Sequence, residues 1–316
     1  NGKGTPKQAP TRRQIRVDSN YIASLINSTL RSTTPVLLVA LGSAICSQVG
    51  VFNIALEGQM LIASFTSIVV NYLTGSVLLA IIAGIISGTI IGAIVAVVQV
   101  KYQAADMVVG NSLNLLVAGL TSILLFVILG VRGSFSSPDL IPLGKINISF
   151  IKALPFIGRV FADLTVVDYI SYVIAILMYI FLFKTVAGFR VHSIGINKEA
   201  AESLGVNTLR IRMAAVAFSG ALSGLGGSVL SMGQVTLFTE NMTAGRGFIA
   251  MAAAGMGQNH PLYVIGSSLL FGAAQTLSVS LQNIIPSQLT MTIPYIITII
   301  ALSVFGYRTR KQKSMK

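Results

Sequence analysis

The chain has 316 residues, of which 53% are apolar and 10% are charged, and its 22 Lys and Arg exceed its 9 Asp and Glu to give a net charge of +13. So few charges cannot cover a soluble globule, and the apolar content exceeds that of a soluble domain. The basic residues lie at helix ends and tails rather than along one face, which favours membrane topology over nucleic-acid binding. Because the hydrophobicity is continuous rather than alternating, composition predicts an all-α, polytopic transmembrane helical bundle and excludes a barrel.

The predicted membrane region covers residues 21–306, between a basic arm at 1–20 and a basic tail at 307–316. Apolar runs of about 18 residues or more recur there, long enough to cross about 30 Å of hydrocarbon as helices. About nine spans are predicted, within a range of about 8 to 10. They lie near residues 33–50, 55–73, 77–100, 107–130, 168–187, 213–233, 247–257, 262–282 and 289–306.

The seventh run, 247–257, is too short to cross an average bilayer by itself. Gly255, Gly257 and Pro261 interrupt it. We therefore predict a half-helix or a re-entrant segment here.

The basic residues also predict sidedness. Placing the tail and the loop 188–212 in the cytoplasm puts the segment 131–167 outside and Lys101 inside. Nine crossings with an internal C-terminus put the N-terminus outside, whereas the basic arm favours the inside. Crossing parity and charge therefore conflict at the N-terminus.

A weak internal repeat indicates two halves. QVGVFN from Gln48 precedes GQMLIA from Gly58, and QVTLFT from Gln234 precedes GRGFIA from Gly245, at offsets of 186 and 187 residues. Five predicted crossings separate the copies, and an odd number turns the second copy upside down in the bilayer. The pattern predicts an inverted repeat with a substrate route between the halves; chance similarity between apolar segments is the alternative.

Glu57 is the acidic residue that lies well inside a predicted hydrophobic region. A charge at that depth costs several kcal/mol unless it is partnered, so Glu57 must face protein or water. Asn53 and Gln59 supply donors and acceptors beside it, and Gly58 permits a helix break. Two interpretations stay open: a discontinuous helix that lines a polar passage, and a structural hydrogen-bond network between two helices.

Further polar residues extend the candidate passage. Asn111 and Asn114 lie within one turn of the fourth span, where amides bridge helices or contact a polar solute, and bridging is favoured. In the second copy of the repeat, Glu240 and Asn241 precede Arg246. A loop ion pair between Glu240 and Arg246 is predicted.

Small residues follow a helical spacing in two spans. Gly84, Gly88 and Gly92 form one ladder, and Gly220 and Gly224 form another. Such ladders let helix backbones approach closely, so we predict a packing role.

Catalytic chemistry finds little support in the sequence. His192 and His260 fall in predicted loops without metal-ligand spacing, and Cys46 is predicted to be a small packing residue. The chain has no G-x-x-x-x-G-K-[ST] loop. Any nucleotide energy must therefore come from another polypeptide.

A charged island, KEAAESLG from Lys198 to Gly205, stands between apolar flanks. It predicts a short helix around Glu199 that is exposed between two spans as a docking surface; an ordinary interfacial loop is the alternative. Glu199-Ala200-Ala201 followed by Gly205 resembles the EAA-x3-G loop of ATP-binding cassette (ABC) importer permeases. In that family a cytoplasmic coupling helix docks into a groove of a separate ATPase subunit.

The resemblance extends over residues 25–305, through SQVGVFNIALEGQM, KTVAGFRVHSIGINKEAAESLGV, FSGALSGLGGSVLSMGQ and FTENMTAGRGFIAMAA. These stretches look like the permeases shared by simple-sugar, branched-chain amino acid and nucleoside importers, and the nucleoside branch is the closest match. FTENMTAGRGFIA and GVFNIALEG are the more specific motifs. The basic arm fits no pattern of the family.

The resemblance implies a multi-pass subunit of a bacterial plasma membrane importer. An external lipoprotein would deliver a nucleoside, two permease subunits, often different chains, would form the pathway, and cytoplasmic ATPase subunits holding ATP and Mg would drive it. No cofactor is expected in this chain. Glu199, Ala200, Ala201 and Gly205 would then transmit ATPase closure, and the passage would be bordered by Asn53, Glu57, Gln59, Asn111, Asn114, Glu240 and Asn241.

Three alternatives remain. One is a sugar or branched-chain amino acid permease of the same family. Another is an ion-coupled secondary transporter in which Glu57 titrates, and a third is a structural membrane scaffold.

Overall fold

The computed structural model describes residues 19–145, 157–161, 164–282, 287–290, 292–300 and 303. The basic tail, most of the basic arm and parts of the predicted external segment and last span lie outside the described residues. The helices in chain order are α1 Ser19–Gln48, α2 Leu56–Thr74, α3 Val77–Val95, α4 Asp106–Leu129, α5 Ile157–Phe161, α6 Val166–Lys184, α7 Val186–Ile196, α8 Lys198–Ser203, α9 Thr208–Val229, α10 Arg246–Met256, α11 Pro261–Leu281 and α12 Ser287–Thr290. Two π-helical turns extend α3 and α9, at Ala96–Lys101 and Leu230–Val235, and two strands, β1 Ser134–Phe135 and β2 Phe238–Thr239, pair antiparallel.

The predicted all-α polytopic bundle is confirmed. Within the described residues, six helices are long and apolar enough to cross a membrane. These spans are Tyr21–Gln48, Val77–Lys101, Asp106–Leu129, Val166–Lys184, Thr208–Val235 and Pro261–Leu281. The predicted half-helix is α10, whose 11 residues reach about 16 Å at 1.5 Å per residue.

The first predicted span began too late. The prediction started it near residue 33, but α1 begins at Ser19 and runs through Arg31 and the polar residues beside it. The hydroxyls of Thr29 and Thr33 each donate to a carbonyl four residues back, and Arg31 Nη2 donates to the Gly233 carbonyl at 3.0 Å. Polar groups satisfied in this way do not end a membrane helix.

The loop predicted at 188–212 also differs. It contains the helices α7 and α8 and the first turn of α9, so His192 lies on a helix rather than in a loop. Asn197 and Asn207 cap the starts of α8 and α9, because their side chains accept from Ala200 N and Arg210 N at 3.0 Å.

The glycine ladders pack α3 against α9, as predicted. A Cβ added at Gly88 would lie 2.5 Å from the Gly220 carbonyl oxygen and 2.7 Å from Gly224 Cα. One at Gly92 would lie 3.0 Å from Gly220 Cα. The two backbones are therefore in contact, and nothing larger than glycine fits between them.

The bundle has an island face, defined by Gln48 at the end of α1, Asn259 before α11 and the island helix α8. Gln48 Nε2 donates to the Asn259 carbonyl at 3.0 Å, and Gly195 of α7 packs on the Gln48 carbonyl. The other end of α1 lies at the opposite face, where Asn27 Nδ2 donates to the Val160 carbonyl at 2.8 Å. The structure thus puts the start of α1 and the island on opposite sides, as crossing parity predicts.

Candidate functional site

Two helices begin in the interior of the bundle and point away from each other. After α1 reaches the island face, the connector 49–55 turns back into the bundle and α2 runs to the opposite face. After α9 reaches that opposite face, the connector 236–245 turns back and α10 runs to the island face. The two copies of the sequence repeat therefore have inverted orientations, and the start of α2 meets the start of α10.

Glu57 joins the two starts. Its Oε1 accepts from Gly245 N at 2.7 Å and its Oε2 accepts from Gly247 N at 2.6 Å, and the residue is only 8% exposed. The free N–H groups and the dipole at a helix start favour an anion there, and the charge of Arg246 at the same helix start adds a favourable interaction. Gly247 is required for this approach, because a Cβ there would lie 2.6 Å from Glu57 N.

Asn114 of α4 holds the start of α2 in place. Its Oδ1 accepts from Gly58 N at 2.8 Å and its Nδ2 donates to the Ile54 carbonyl at 3.1 Å. The predicted bridging role holds for Asn114. Each interior helix start is therefore held by a side chain from another element.

A cavity of about 780 Å³ opens where the two starts meet. Five of the predicted pathway residues line it: Glu57, Asn111, Asn114, Glu240 and Asn241. The remaining lining residues are Gly58, Leu61, Leu115, Ala118, Gly119, Ser122, Gly245 and Phe248. Among the described lining residues there is no Lys, Arg or His, so the polar surface consists of amides, a hydroxyl, carboxylates and backbone.

Asn53 and Gln59 do not line this cavity. Asn53 Nδ2 lies 3.4 Å from Gln59 Oε1 and 3.3 Å from Ser219 Oγ of α9, and Asn53 Oδ1 accepts from Ala55 N. Asn53 and Gln59 are 3% and 0% exposed. They form the structural network that the sequence left open as an alternative, and Glu57 lies on the cavity side.

The predicted ion pair between Glu240 and Arg246 is wrong. Glu240 Oε1 accepts from Gly133 N at 3.0 Å, beside the β1–β2 pair. Arg246 Nη1 turns back along the chain to the Met242 and Thr243 carbonyls at 3.0 and 3.2 Å. Glu240 is exposed and lines the cavity.

Sequence reasoning missed the wall that α4 contributes. Leu115, Ala118, Gly119 and Ser122 continue the face of Asn111 at helical spacing and line the cavity. The signal was available, since polar and small residues recur every three or four positions on one side of an otherwise apolar helix.

The island forms a short capped helix on its own face. Ala201 is 1% exposed, whereas Glu199 and Ala200 are exposed. Gly205 ends α8 with φ +79°, a left-handed conformation that strains other residues. Two large apolar side chains flank the helix and remain in the open, Ile196 at 85% and Leu204 at 83% exposure.

Comparison with known proteins gives a consistent result. The family described as the permease component of the branched-chain amino acid transport system matches residues 25–302. The guanosine ABC transporter permease protein NupQ of Bacillus subtilis is 33% identical over 93% of this chain and 95% of its own length. The nucleoside ABC transporter permease protein NupC of Lactococcus lactis is 33% identical over 90% of this chain and 93% of its own. The putative glucose ABC transporter permease protein TsgC13 of Haloferax volcanii is 29% identical over 92% and 94%. No solved structure gives a significant match.

Proposed function

Since the chain belongs to the family of permease components of branched-chain amino acid transport systems, we propose that it is the membrane subunit of an ABC importer that carries a nucleoside through the cavity between α2, α4 and α10. Two of the relatives with 33% identity are named as guanosine and nucleoside permeases. Both align over at least 90% of this chain. The proposal therefore concerns the whole membrane domain.

The observation that carries the proposal is the lining of the cavity. Its volume, about 780 Å³, lies within the range of small-molecule sites, roughly 300–1,000 Å³. A nucleoside is neutral and carries hydroxyl and ring N–H donors and ring acceptors. Asn111 and Asn241 offer amides, Glu240 offers a carboxylate acceptor, and Phe248 offers a ring against which a base can stack. A zwitterionic amino acid would bring its carboxylate close to those of Glu57 and Glu240, and the described lining has no Lys, Arg or His to offset that repulsion.

The island supplies the contact with the ATPase in this proposal. Ile196 and Leu204 present apolar surface on either side of α8, and docking of the ATPase would cover both side chains. Glu199 and Ala200 face outward between them, while Ala201 and Gly205 fix the helix on the bundle. ATP and Mg would be held by the partner subunit, and closure of that subunit would move α8.

A second permease subunit would close the cavity. Asn111 and Gly119 are exposed on α4, at membrane depth, beside the half-buried Ser122. Polar groups at that depth face protein or water rather than lipid. We assign this face of α4 to the contact with a second permease, and the opposite face of the bundle from the island to the external binding lipoprotein.

The geometry around Glu57 disfavours an ion-coupled carrier. Both carboxylate oxygens already accept backbone N–H bonds that hold the two helix starts together, so the group serves a structural contact. A coupling carboxylate must load and release its ion during each cycle.

The test is reconstitution of this chain with its co-purifying ATPase and permease subunits in vesicles, with the binding lipoprotein added. We expect uridine or adenosine to stimulate ATP hydrolysis and to accumulate in an ATP-dependent manner. Uptake that survives ATP depletion and collapses with a proton uncoupler would reject the proposal in favour of a secondary carrier. Stimulation by glucose or leucine, with no response to either nucleoside, would reject the substrate class alone.

A further inference from the structure

Two short helices connect the island to the cavity. The single residue Asn197 separates α7 from the island helix α8, so α7 follows any movement of the island. α10 starts at the carboxylate of Glu57 beside the cavity and ends on the island face. A contact between α7 and the end of α10 would therefore link the docking surface to the cavity.

The link runs through a cluster of rings on α6, on α7 and at the start of α11, close behind the end of α10. It is here called the ring cluster and consists of Tyr179, Phe183, His192, His260 and Tyr263. The Phe183 centroid lies 4.9 Å from the His192 ring and 4.7 Å from the His260 ring. Tyr179 and Tyr263 lie 5.4 and 4.6 Å from the His260 ring. These separations fall within the range of favourable ring pairs, about 4.5–7 Å. Phe183 of α6 thus stands between a ring of α7 and a ring at the start of α11.

The two imidazoles are held by packing. His192 Nε2 and His260 Nδ1 are buried and make no hydrogen bond within the described part of the chain. Neither nitrogen is tied to a fixed polar partner, so ring contacts hold these two sides of the imidazoles.

The segment between His260 and α10 is stiff. Gln258 and Asn259 both have positive φ, 52° and 55°, and the Gln48 amide fixes the Asn259 carbonyl at 3.0 Å. Ser267 Oγ donates to the Ala253 carbonyl at 2.6 Å and so locks α11 to α10. A corner held at this many points passes a displacement of His260 to α10 with little loss.

We propose that the ring cluster is the joint through which movement of the island repositions α10, and with it the Gly245 and Gly247 amides that clamp Glu57 at the cavity. His192 and His260 are positioning residues in this assignment. The proposal rests on the proposed function for its role in transport, but the mechanical link itself exists in the chain alone and can be measured there.

The first test is hydrogen exchange in the purified full-length chain. Phe183→Ala should speed exchange of the Gly245 and Gly247 amides by roughly 2- to 30-fold, the range that such couplings span, while exchange in α3 stays unchanged. Phe181→Ala is the matched control, because Phe181 is the same residue on the same helix but is 40% exposed and outside the cluster. Equal exchange rates of the Gly245 and Gly247 amides in the two variants would overturn the proposal. This outcome does not depend on which substrate the protein transports.

The second test uses the reconstituted transporter and measures nucleoside imported per ATP hydrolysed. His260→Ala should keep ATPase assembly and basal hydrolysis and lower this ratio by roughly 2- to 30-fold. His260→Phe, which keeps a ring, should restore it. The assignment of the ring cluster would be contradicted if His260→Ala left the ratio of import to hydrolysis unchanged. It would also be contradicted if His260→Phe lowered the ratio as much as His260→Ala. If the parent protein imports no nucleoside, the proposed function is rejected. The hydrogen-exchange test would then still show whether the ring cluster links the island to α10.

A double variant separates one joint from two independent defects. If Phe183 and His260 act in series, Phe183→Ala/His260→Ala should lower the ratio no further than the more severe single variant. Effects that multiply would show that the two rings act separately and would overturn the assignment.

Discussion

Glu57 Oε2 lies 2.6 Å from the amide nitrogen of Gly247, and this bond joins the two inverted halves of the bundle. With the Gly245 bond it places a carboxylate at the start of α10, where N–H groups and the helix dipole favour it. One side of the same carboxylate faces the cavity. The residue therefore has a structural role between the halves and a position at the proposed passage.

Glu57→Gln should destabilise the bundle by about 1–3 kcal/mol, because a carboxamide has one acceptor oxygen and its NH2 group would face a backbone N–H. Cys46 is the only cysteine in the sequence and is 0% exposed, so its reactivity on heating reports unfolding. Glu240→Gln makes the same chemical change at an exposed carboxylate and should shift stability by less than about 0.5 kcal/mol. Equal unfolding midpoints for the two variants would contradict the clamp.

Gly88→Ala should cost about 1–3 kcal/mol, because the added methyl group meets the backbone of α9 and the helices must separate. Gly266→Ala serves as the control, since a Cβ there meets no atom within 4 Å. The temperature at which half of Cys46 becomes labelled measures the stability of both variants. A Gly88→Ala protein as stable as Gly266→Ala would show that the ladder does not hold the helices together.

Gly205→Ala should impair coupling without unfolding the spans. The left-handed conformation at φ +79° costs an alanine about 1–2 kcal/mol, which favours an altered end of α8. We expect less ATPase to co-purify and uptake to fall, as also for Glu199→Ala, with an unchanged Cys46 midpoint. Gly144→Ala, at an exposed glycine with nothing within 4 Å of its Cβ position, should behave like the parent. Full uptake by Gly205→Ala and Glu199→Ala would remove the coupling role.

The two asparagines of α4 should differ in what they lose. Asn114→Ala removes the partner of Gly58 N and should cost about 1–3 kcal/mol in stability, since the donor of a buried residue loses its acceptor. Asn111→Ala, at an exposed lining residue, should leave stability unchanged and raise the apparent KM of uptake by roughly 2- to 10-fold. Identical profiles for the two variants would contradict the division between a bridging and a solute-facing amide.

Much of the architecture was predictable because membrane helices are read from continuous apolar runs. The limits of α2, α10 and α11 were within about two residues of the structure. Glu57 was predictable for the same reason, since a lone acid in such a run needs a partner. The partner of Glu57 was not predictable, because composition does not show which backbone amides lie near it in the fold.

The errors share a physical cause. The start of the first span, the loop position of His192 and the ion pair of Arg246 were each predicted from the polarity of the nearby sequence, but tertiary contacts decide which partners polar side chains find. Arg31 finds a carbonyl on α9, His192 packs among rings, and Arg246 turns to backbone carbonyls instead of Glu240. Asn53 and Gln59 were grouped with the passage by their closeness to Glu57 in sequence, although Asn53 contacts Ser219 of α9 and Gln59 contacts Asn53.

The central claim is that a nucleoside occupies the cavity where α2 and α10 begin. Ser122→Cys places a thiol on the lining of the cavity, in addition to the buried Cys46 elsewhere in the chain. Ile86→Cys, at a 53% exposed residue of α3, provides the control. In the assembled transporter, a small hydrophilic thiol reagent should modify Ser122→Cys, and adenosine or uridine should slow that reaction while glucose and leucine do not. A Ser122→Cys protein whose labelling is indifferent to both nucleosides, or that reacts no faster than Ile86→Cys, would contradict it.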